Sequence, residues 1–235
     1  MTTAMTIPAR YNGPPASANG GFACGLAARH AAAALGPRVA VTLHSPPPLD
    51  ITLELRTDGR RAHLWAGEEL VASAARTSGP IEAVPPVPLA VARTARDSFA
   101  GLRFHPFPTC FVCGPDRADG YGLDLRPGPV PGRPHTVACD WTPPGWLAAD
   151  GEVAPELAWA VLDCPGGWTD DPARQTMVLG RMVADIDALP RVGHRYVVVG
   201  RLAARDGRTS TNLTALYDER GTLLARASAI WVALG

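Results

Sequence analysis

Asn19-Gly20-Gly21-Phe22-Ala23-Cys24-Gly25-Leu26-Ala27-Ala28-Arg29-His30-Ala31-Ala32-Ala33-Ala34-Leu35-Gly36-Pro37 is an apolar, alanine-rich run closed by a helix-stopping pair. Ala and Leu are strong helix formers. Asn19 is a good N-cap, and Gly36-Pro37 cannot continue the pattern, so a helix is expected over Gly21 to Leu35. Arg29 and His30 alone break its apolar character. Such a helix needs cover on most of its circumference. It is also too short to span a bilayer.

The residues that follow supply the cover. Arg38 to His44, Leu49 to Thr57, Arg60 to Trp65 and Glu69 to Arg76 read as strands. Ser45-Pro46-Pro47-Pro48 turns the chain after the first, and Asp58-Gly59 is a strong hairpin signal. The same order returns later in the chain. Gly122 to Arg126 and Thr136 to Trp141 read as strands, and Pro155 to Asp163 as a helix with Pro at an early position, where its missing N–H costs little. Gln175 to Asp185, His194 to Ala204, Thr209 to Tyr217 and Thr222 to Val232 read as strands, with Asp206-Gly207 as a second hairpin signal. In the last strand Leu223, Ala225, Ala227, Ala229 and Trp231 alternate with Leu224, Arg226, Ser228, Ile230 and Val232.

This is an internal repeat. Leu43 to Pro48 corresponds to Asp185 to Pro190, Asp58-Gly59-Arg60 to Asp206-Gly207-Arg208, and Leu70 to Ala74 to Leu223 to Ala227. The fold class expected is α+β: two tandem domains, each an antiparallel sheet wrapped around a central helix. A Pro-rich stretch holding Pro80, Pro85, Pro86, Pro88, Pro106 and Pro108 divides them. The domains are therefore 1–78 and 109–235, joined by a linker over 79–108 with a short helix at Leu89 to Phe99.

Composition narrows the function. The 235 residues are 46% hydrophobic, enough for a substantial core, and the formal net charge is zero. A nucleic-acid partner is not expected, because no basic excess is visible. Every basic residue except histidine is Arg, so Schiff-base chemistry through Lys is excluded. The start, Met1 to Arg10, has no basic segment followed by an apolar run, so a signal peptide is not expected and the chain is read as cytoplasmic. Five cysteines without regular spacing do not form a secreted disulfide framework.

A helix followed by antiparallel strands that wrap it resembles the hotdog fold. Three motifs make the resemblance more specific. Tyr11-Asn12-Gly13-Pro14-Pro15, leading to Asn19-Gly20-Gly21-Phe22, is similar to the entry to the central helix of hotdog acyl-CoA thioesterases. Cys110-Phe111-Val112-Cys113-Gly114-Pro115-Asp116, with Gly122-Leu123 after it, resembles the head of a thioesterase-like hotdog domain. Gly221 to Val232 is similar to the closing strand of thioesterases of the phenylacetate-degradation type. The resemblance covers nearly the whole chain apart from the linker. It implies an acyl-CoA or other acyl thioester as ligand, no cofactor, no membrane insertion, and a fused pair able to self-associate further.

The resemblance also implies where chemistry sits: the thioester carbonyl lies at the N-terminus of the central helix, where free N–H groups and the helix dipole stabilise an oxyanion. Asn19, Gly20 and Gly21 stand at that place in the first copy, though Asn followed by Gly-Gly is equally an ordinary cap and turn. The family acid falls seven residues after the second Gly. That position is Ala28 in the first copy and, counted from Glu156, Asp163 in the second. One composite site is therefore expected, Asn19, Gly20 and Gly21 from one domain with Asp163 from the other. Asp163 would act as nucleophile or base. The opposing reading makes Asp163 a helix-ending residue, because Pro165 should force a break nearby. The reciprocal pairing of Pro155-Glu156 with Ala28 reads as degenerate, with Glu156 a first-turn carboxylate favoured by the dipole.

Cys110-x-x-Cys113 is a single pair, where a structural zinc site usually wants two, so no metal is expected. Cys164 stands beside Asp163. Trp141, Trp146, Trp159 and Trp168 belong mostly to the core, with one or two available to line an acyl tunnel, and nothing selects Arg181 or Arg201 for CoA phosphates. Two other classes compete with a thioesterase: a non-catalytic acyl-CoA or fatty-acid binding protein, and a hydratase, for which no Asp/His dyad stands ahead of the helix.

Overall fold

The computed structural model describes residues 2–118, 120–148, 150–170 and 175–234. Its centre is one sheet of eleven strands, all paired antiparallel, in the order β1-β3-β4-β5-β2-β8-β11-β10-β9-β7-β6. In the first half, β1 (Thr2–Thr6) precedes helix α1 (Gly20–Leu35), and β2 (Val39–Leu43), β3 (Thr52–Thr57), β4 (Arg61–Ala66) and β5 (Glu69–Arg76) follow. Between the halves lies α2 (Leu89–Asp97). In the second half β6 (Gly128–Pro129) and β7 (Thr136–Trp141) precede α3 (Pro155–Gly167), and β8 (Met177–Ile186), β9 (Tyr196–Asp206), β10 (Thr209–Asp218) and β11 (Leu223–Ala233) follow.

The strand order is mirrored about the β2–β8 pair, where Ala40, Val41 and Thr42 face Val183, Met182 and Arg181. On one side the order reads β2, β5, β4, β3, β1, and on the other β8, β11, β10, β9, β7. The two halves are thus copies of one unit, a tandem α+β arrangement. Their junction consumes two edges that would otherwise present unpaired backbone groups. The hairpins close as their sequences require. Asp58 Oδ1 accepts from the N–H groups of Arg60 and Arg61 at 2.9 and 2.7 Å, and Gly59 has φ 86°. Gly207 likewise has positive φ, 54°.

Three expectations need correction. The first unit has five strands rather than four, because β1 pairs with β3 ahead of the first helix. Gly122 to Arg126 is not a strand: Asp124 has φ 52°, outside the extended region, and Leu123 and Leu125 donate to the carbonyls of Phe111 and Val112 in a loop. Pro165 does not end α3 near Asp163, since the helix runs on to Gly167. Pro165 packs on the bare backbone of Gly200, where a Cβ would lie 2.7 Å from its carbonyl oxygen. The Leu162 carbonyl, one turn below the helix end, accepts from Thr214 Oγ1 at 2.7 Å.

The main core lies between the sheet and helices α1 and α3, with Phe22, Leu35, Val41, Leu53, Leu162, Met182, Val198 and Trp231 among its members. A second core lies on the opposite face of the second half. Along β9, Tyr196 and Val198 join the main core while Val197 and Val199 pack with Val84, Val87, Ala92 and Ala95. This alternation fixes which face α2 covers. The Pro-rich stretch is therefore a strap across the outer face of β7, β9 and β10, held also by the Tyr217 hydroxyl donating to the Val84 carbonyl at 2.5 Å.

Candidate active site

Helices α1 and α3 run antiparallel and in close contact, because glycine stands where α1 meets α3. A Cβ on Gly21 would lie 2.4 Å from Asp163 Cβ, and one on Gly25 would lie 2.8 Å from both Glu156 Cα and Trp159 Cβ. The absent side chains let the N-terminus of one helix reach the side chain of the other.

At that contact Asp163 is 2% exposed. Its Oδ2 accepts from Asn19 Nδ2 and from the Gly21 N–H, both at 2.9 Å. Its Oδ1 is buried with no hydrogen-bond partner among the described residues. Asn19 is the N-cap, and its Oδ1 accepts from the Phe22 N–H at 2.9 Å. The four residues expected to form the site do meet, yet with divided labour. Asn19 Nδ2 and the Gly21 N–H are spent on the carboxylate, the Phe22 N–H on Asn19 Oδ1 and the Asn19 N–H on the Tyr11 carbonyl, which leaves the N–H of Gly20 as the one of the group without an acceptor among the described residues. Burial pushes the Asp163 carboxyl up to about 7, opposed by the two donated hydrogen bonds and aided by negative charge on the Cys110 sulfur.

The reciprocal place lacks these elements. Pro155 has no N–H, and Ala28 no carboxylate. Glu156, 8% exposed, instead forms an ion pair with Arg29 of α1 at 3.0 Å.

A cavity of about 640 Å³ opens at the Asp163 end. Asn19, Gly20 and Asp163 border it, with Leu43, Phe107, Trp168, Leu179 and Trp231 giving a largely apolar wall. Of the four tryptophans flagged in the sequence, only Trp168 lines it; Trp141 and Trp159 are buried elsewhere and Trp146 is 38% exposed. Trp231 escaped notice because strand alternation marks it simply as inward-facing. Arg201 is engaged with Glu82 at 2.7 Å, and Arg181 reaches Thr42 Oγ1 at 3.5 Å. A larger hollow, about 910 Å³, lies against Arg133, His135, Asp170 and Arg205 and includes none of Asn19, Gly20, Gly21 or Asp163.

The sequence did not bring Cys164 together with Cys110 and Cys113. Cys110 and Cys113 sit beside Cys164, and the sulfurs of Cys110 and Cys164 are 3.8 Å apart. All five cysteines are free and buried.

Neither a family model nor a curated protein matches the sequence. Solved structures match over the whole length. A conserved protein with hot dog fold from Alicyclobacillus acidocaldarius matches at TM-score 0.59 and 13% identity, covering 100% of this chain and 93% of that one. This chain has the hotdog fold. A provisionally named thioesterase from Novosphingobium aromaticivorans is similar at TM-score 0.65 and 16% identity, over 100% of this chain and 96% of that one. A provisionally named oleoyl thioesterase from Lactobacillus plantarum is similar at 0.57 and 9%, over 100% and 96%. At these identities the likeness establishes the hotdog architecture, and thioesterases are prominent among the proteins that share it. No helix among the described residues is long and apolar enough to cross a membrane.

Proposed function

We propose that this hotdog protein hydrolyses an acyl thioester, an acyl-CoA being the expected substrate. The observation that carries the reading is the meeting of the Asp163 carboxylate with the N-terminus of α1 at the end of an apolar cavity. The acyl chain lies along Leu179, Trp168 and Trp231. The thioester oxygen takes the Gly20 N–H, at the positive end of the helix dipole, where charge develops as the carbonyl carbon becomes tetrahedral. Asn19 and Gly21 are positioning residues that fix Oδ2, so that Oδ1 keeps its lone pairs for the reaction.

Two routes use that oxygen. As a base, Asp163 takes a proton from water as the water oxygen bonds to the acyl carbon. The C–S bond then breaks and the proton passes to the departing thiolate. As a nucleophile, Oδ1 bonds to the acyl carbon itself, thiol leaves, and water resolves the mixed anhydride. Both give one carboxylic acid and one thiol.

The test is thiol release from a panel of acyl-CoA substrates, acetyl to long-chain, by wild type and Asp163→Asn. Hydrolysis by wild type that falls on the order of a hundredfold or more in the variant supports the reading; equal rates, or no hydrolysis of any substrate, overturn it. The burial of Asp163 and the loss of the reciprocal site favour one alternative, a non-catalytic acyl-CoA or fatty-acid binder. Tight binding of the same panel without thiol release is its signature. The reading takes 1–78 and 109–235 as the fused partners with 79–108 as linker, a cytoplasmic setting, no nucleic-acid partner and no cofactor. Further self-association of the fused pair belongs to it as well.

A further inference from the structure

Next to the carboxylate lies chemistry that hydrolysis does not use. Cys110 and Cys113 occupy a tight turn: the Cys110 N–H donates to the Phe107 carbonyl at 2.9 Å and the Gly114 N–H to the Cys110 carbonyl at 2.9 Å. Gly114 is needed there, since a Cβ would lie 2.4 Å from Cys110 N and 2.5 Å from the Pro108 oxygen. The third cysteine, Cys164, comes from the last turns of α3. The three sulfurs lie within 4.8 Å of one another, and all three residues are buried. Cys24 and Cys139 are equally buried but stand outside the cluster.

We propose that Cys110, Cys113 and Cys164 bind one zinc ion, with the fourth coordination position turned to the cavity. Zinc holds thiolate sulfur at about 2.3 Å in tetrahedral geometry, which sets its sulfurs about 3.8 Å apart. The Cys110–Cys164 separation is 3.8 Å. Thiolates are soft ligands and select zinc over magnesium, calcium or manganese. The two-residue spacing of Cys110 and Cys113 is that of paired zinc ligands, and Cys164 supplies a third, the number an open zinc site takes from its protein.

The nearest imidazole does not complete the set. His105 Nδ1 accepts from the Phe107 N–H at 3.0 Å, so the ring proton sits on Nε2 and that nitrogen is not a ligand. All three cysteines border the cavity, so water or a small ligand from it fills the fourth position. The ion would tie the turn at the start of 109–235 to α3, one residue from Asp163. This inference stands apart from the hydrolase reading, and its test needs no turnover.

The full-length chain, reduced and metal-free, is titrated with cobalt(II) and then zinc(II), and bound metal is counted by mass spectrometry. The expected result is one cobalt per chain, with sulfur-to-cobalt charge-transfer bands and the intense visible bands of a tetrahedral site, displaced by zinc. Cys110→Ser and Cys164→Ser should each lose on the order of a hundredfold or more in zinc affinity, while Cys24→Ser and Cys139→Ser keep it. Absence of the tetrahedral thiolate spectrum in wild type overturns the proposal, whatever the variants do. So does equal affinity in Cys164→Ser. The wild-type spectrum needs no variant to fold, and thiol release is scored separately.

Discussion

Asp163 is the residue on which most turns, and its state is set by burial. In the metal-free protein its folded carboxyl titrates near 7 against an ordinary value of 3.8, so the folded chain holds a proton that the unfolded chain has released. Stability is therefore full below about pH 4 and falls as pH rises toward 7, then levels. Three units correspond to a loss of about 4 kcal/mol at most. Asp163→Asn keeps an acceptor for Asn19 and Gly21 and removes the titration. Its denaturation midpoint should match wild type near pH 4 and exceed it at pH 8, as chemical denaturation at both pH values would measure. A variant that loses stability with pH as wild type does would show that another group carries the effect. Gly21→Ala is the complementary test: with its Cβ 2.4 Å from Asp163 Cβ and 2.7 Å from the Trp159 carbonyl oxygen, it should lower stability by about 1–3 kcal/mol and abolish thiol release.

The two central helices are alike in being nearly all apolar, and what distinguishes them is their first turn. α1 begins with a capping Asn and two glycines, so its N–H groups are open to the partner helix and the cavity. α3 begins with Pro155 and has no side-chain cap, and its early carboxylate turns to Arg29. One end of the pair thus opens on the cavity and the other is closed by packing. Arg29→Ala should leave thiol release untouched while lowering stability by about 1 kcal/mol, since Arg29 is half exposed but leaves a buried carboxylate unpaired. Paired thermal melts and turnover assays check both halves of that statement. The strap is the other informative element. Ala92 and Ala95 face the outer sheet with almost no exposure, so Ala92→Asp places an unpaired carboxylate in a dry core. It should cost several kcal/mol and be seen as a lowered denaturation midpoint.

At the scale of the molecule, the eleven strands form one continuous sheet because β2 and β8 pair across the junction. Separating the halves would bare both edges, uncover the α1–α3 contact, and leave Asp163 without its donors. Fragments 1–78 and 109–235 expressed alone should therefore aggregate or remain unfolded, and should recover defined dispersion in NMR spectra when refolded together. Two stable monomeric fragments would show that the junction contributes little.

The hairpins, the helix over Gly20–Leu35 and the repeated order of elements were legible in the sequence, because each rests on local rules: Asp-Gly turns, an Ala-rich run closed by Gly-Pro, and alternation along β11. So was the meeting of Asn19 and Gly21 with Asp163, given the resemblance to hotdog thioesterases. β1 was not legible, since a short threonine-rich segment becomes a strand only when β3 offers an edge. Nor was the survival of α3 past Pro165, which depends on Gly200 and Thr214 from distant strands. The sequence pairs Cys110 with Cys113 but says nothing of Cys164, because proximity across 54 residues exists only once α3 is laid against the turn. Local chemistry along the chain determined which elements form and where an acid and open N–H groups stand. The tertiary structure alone decided which donors are spent on Asp163, which N–H remains open at Gly20, and which sulfurs meet, because hydrogen bonds and ligand sets depend on atoms brought within a few ångströms from remote parts of the chain.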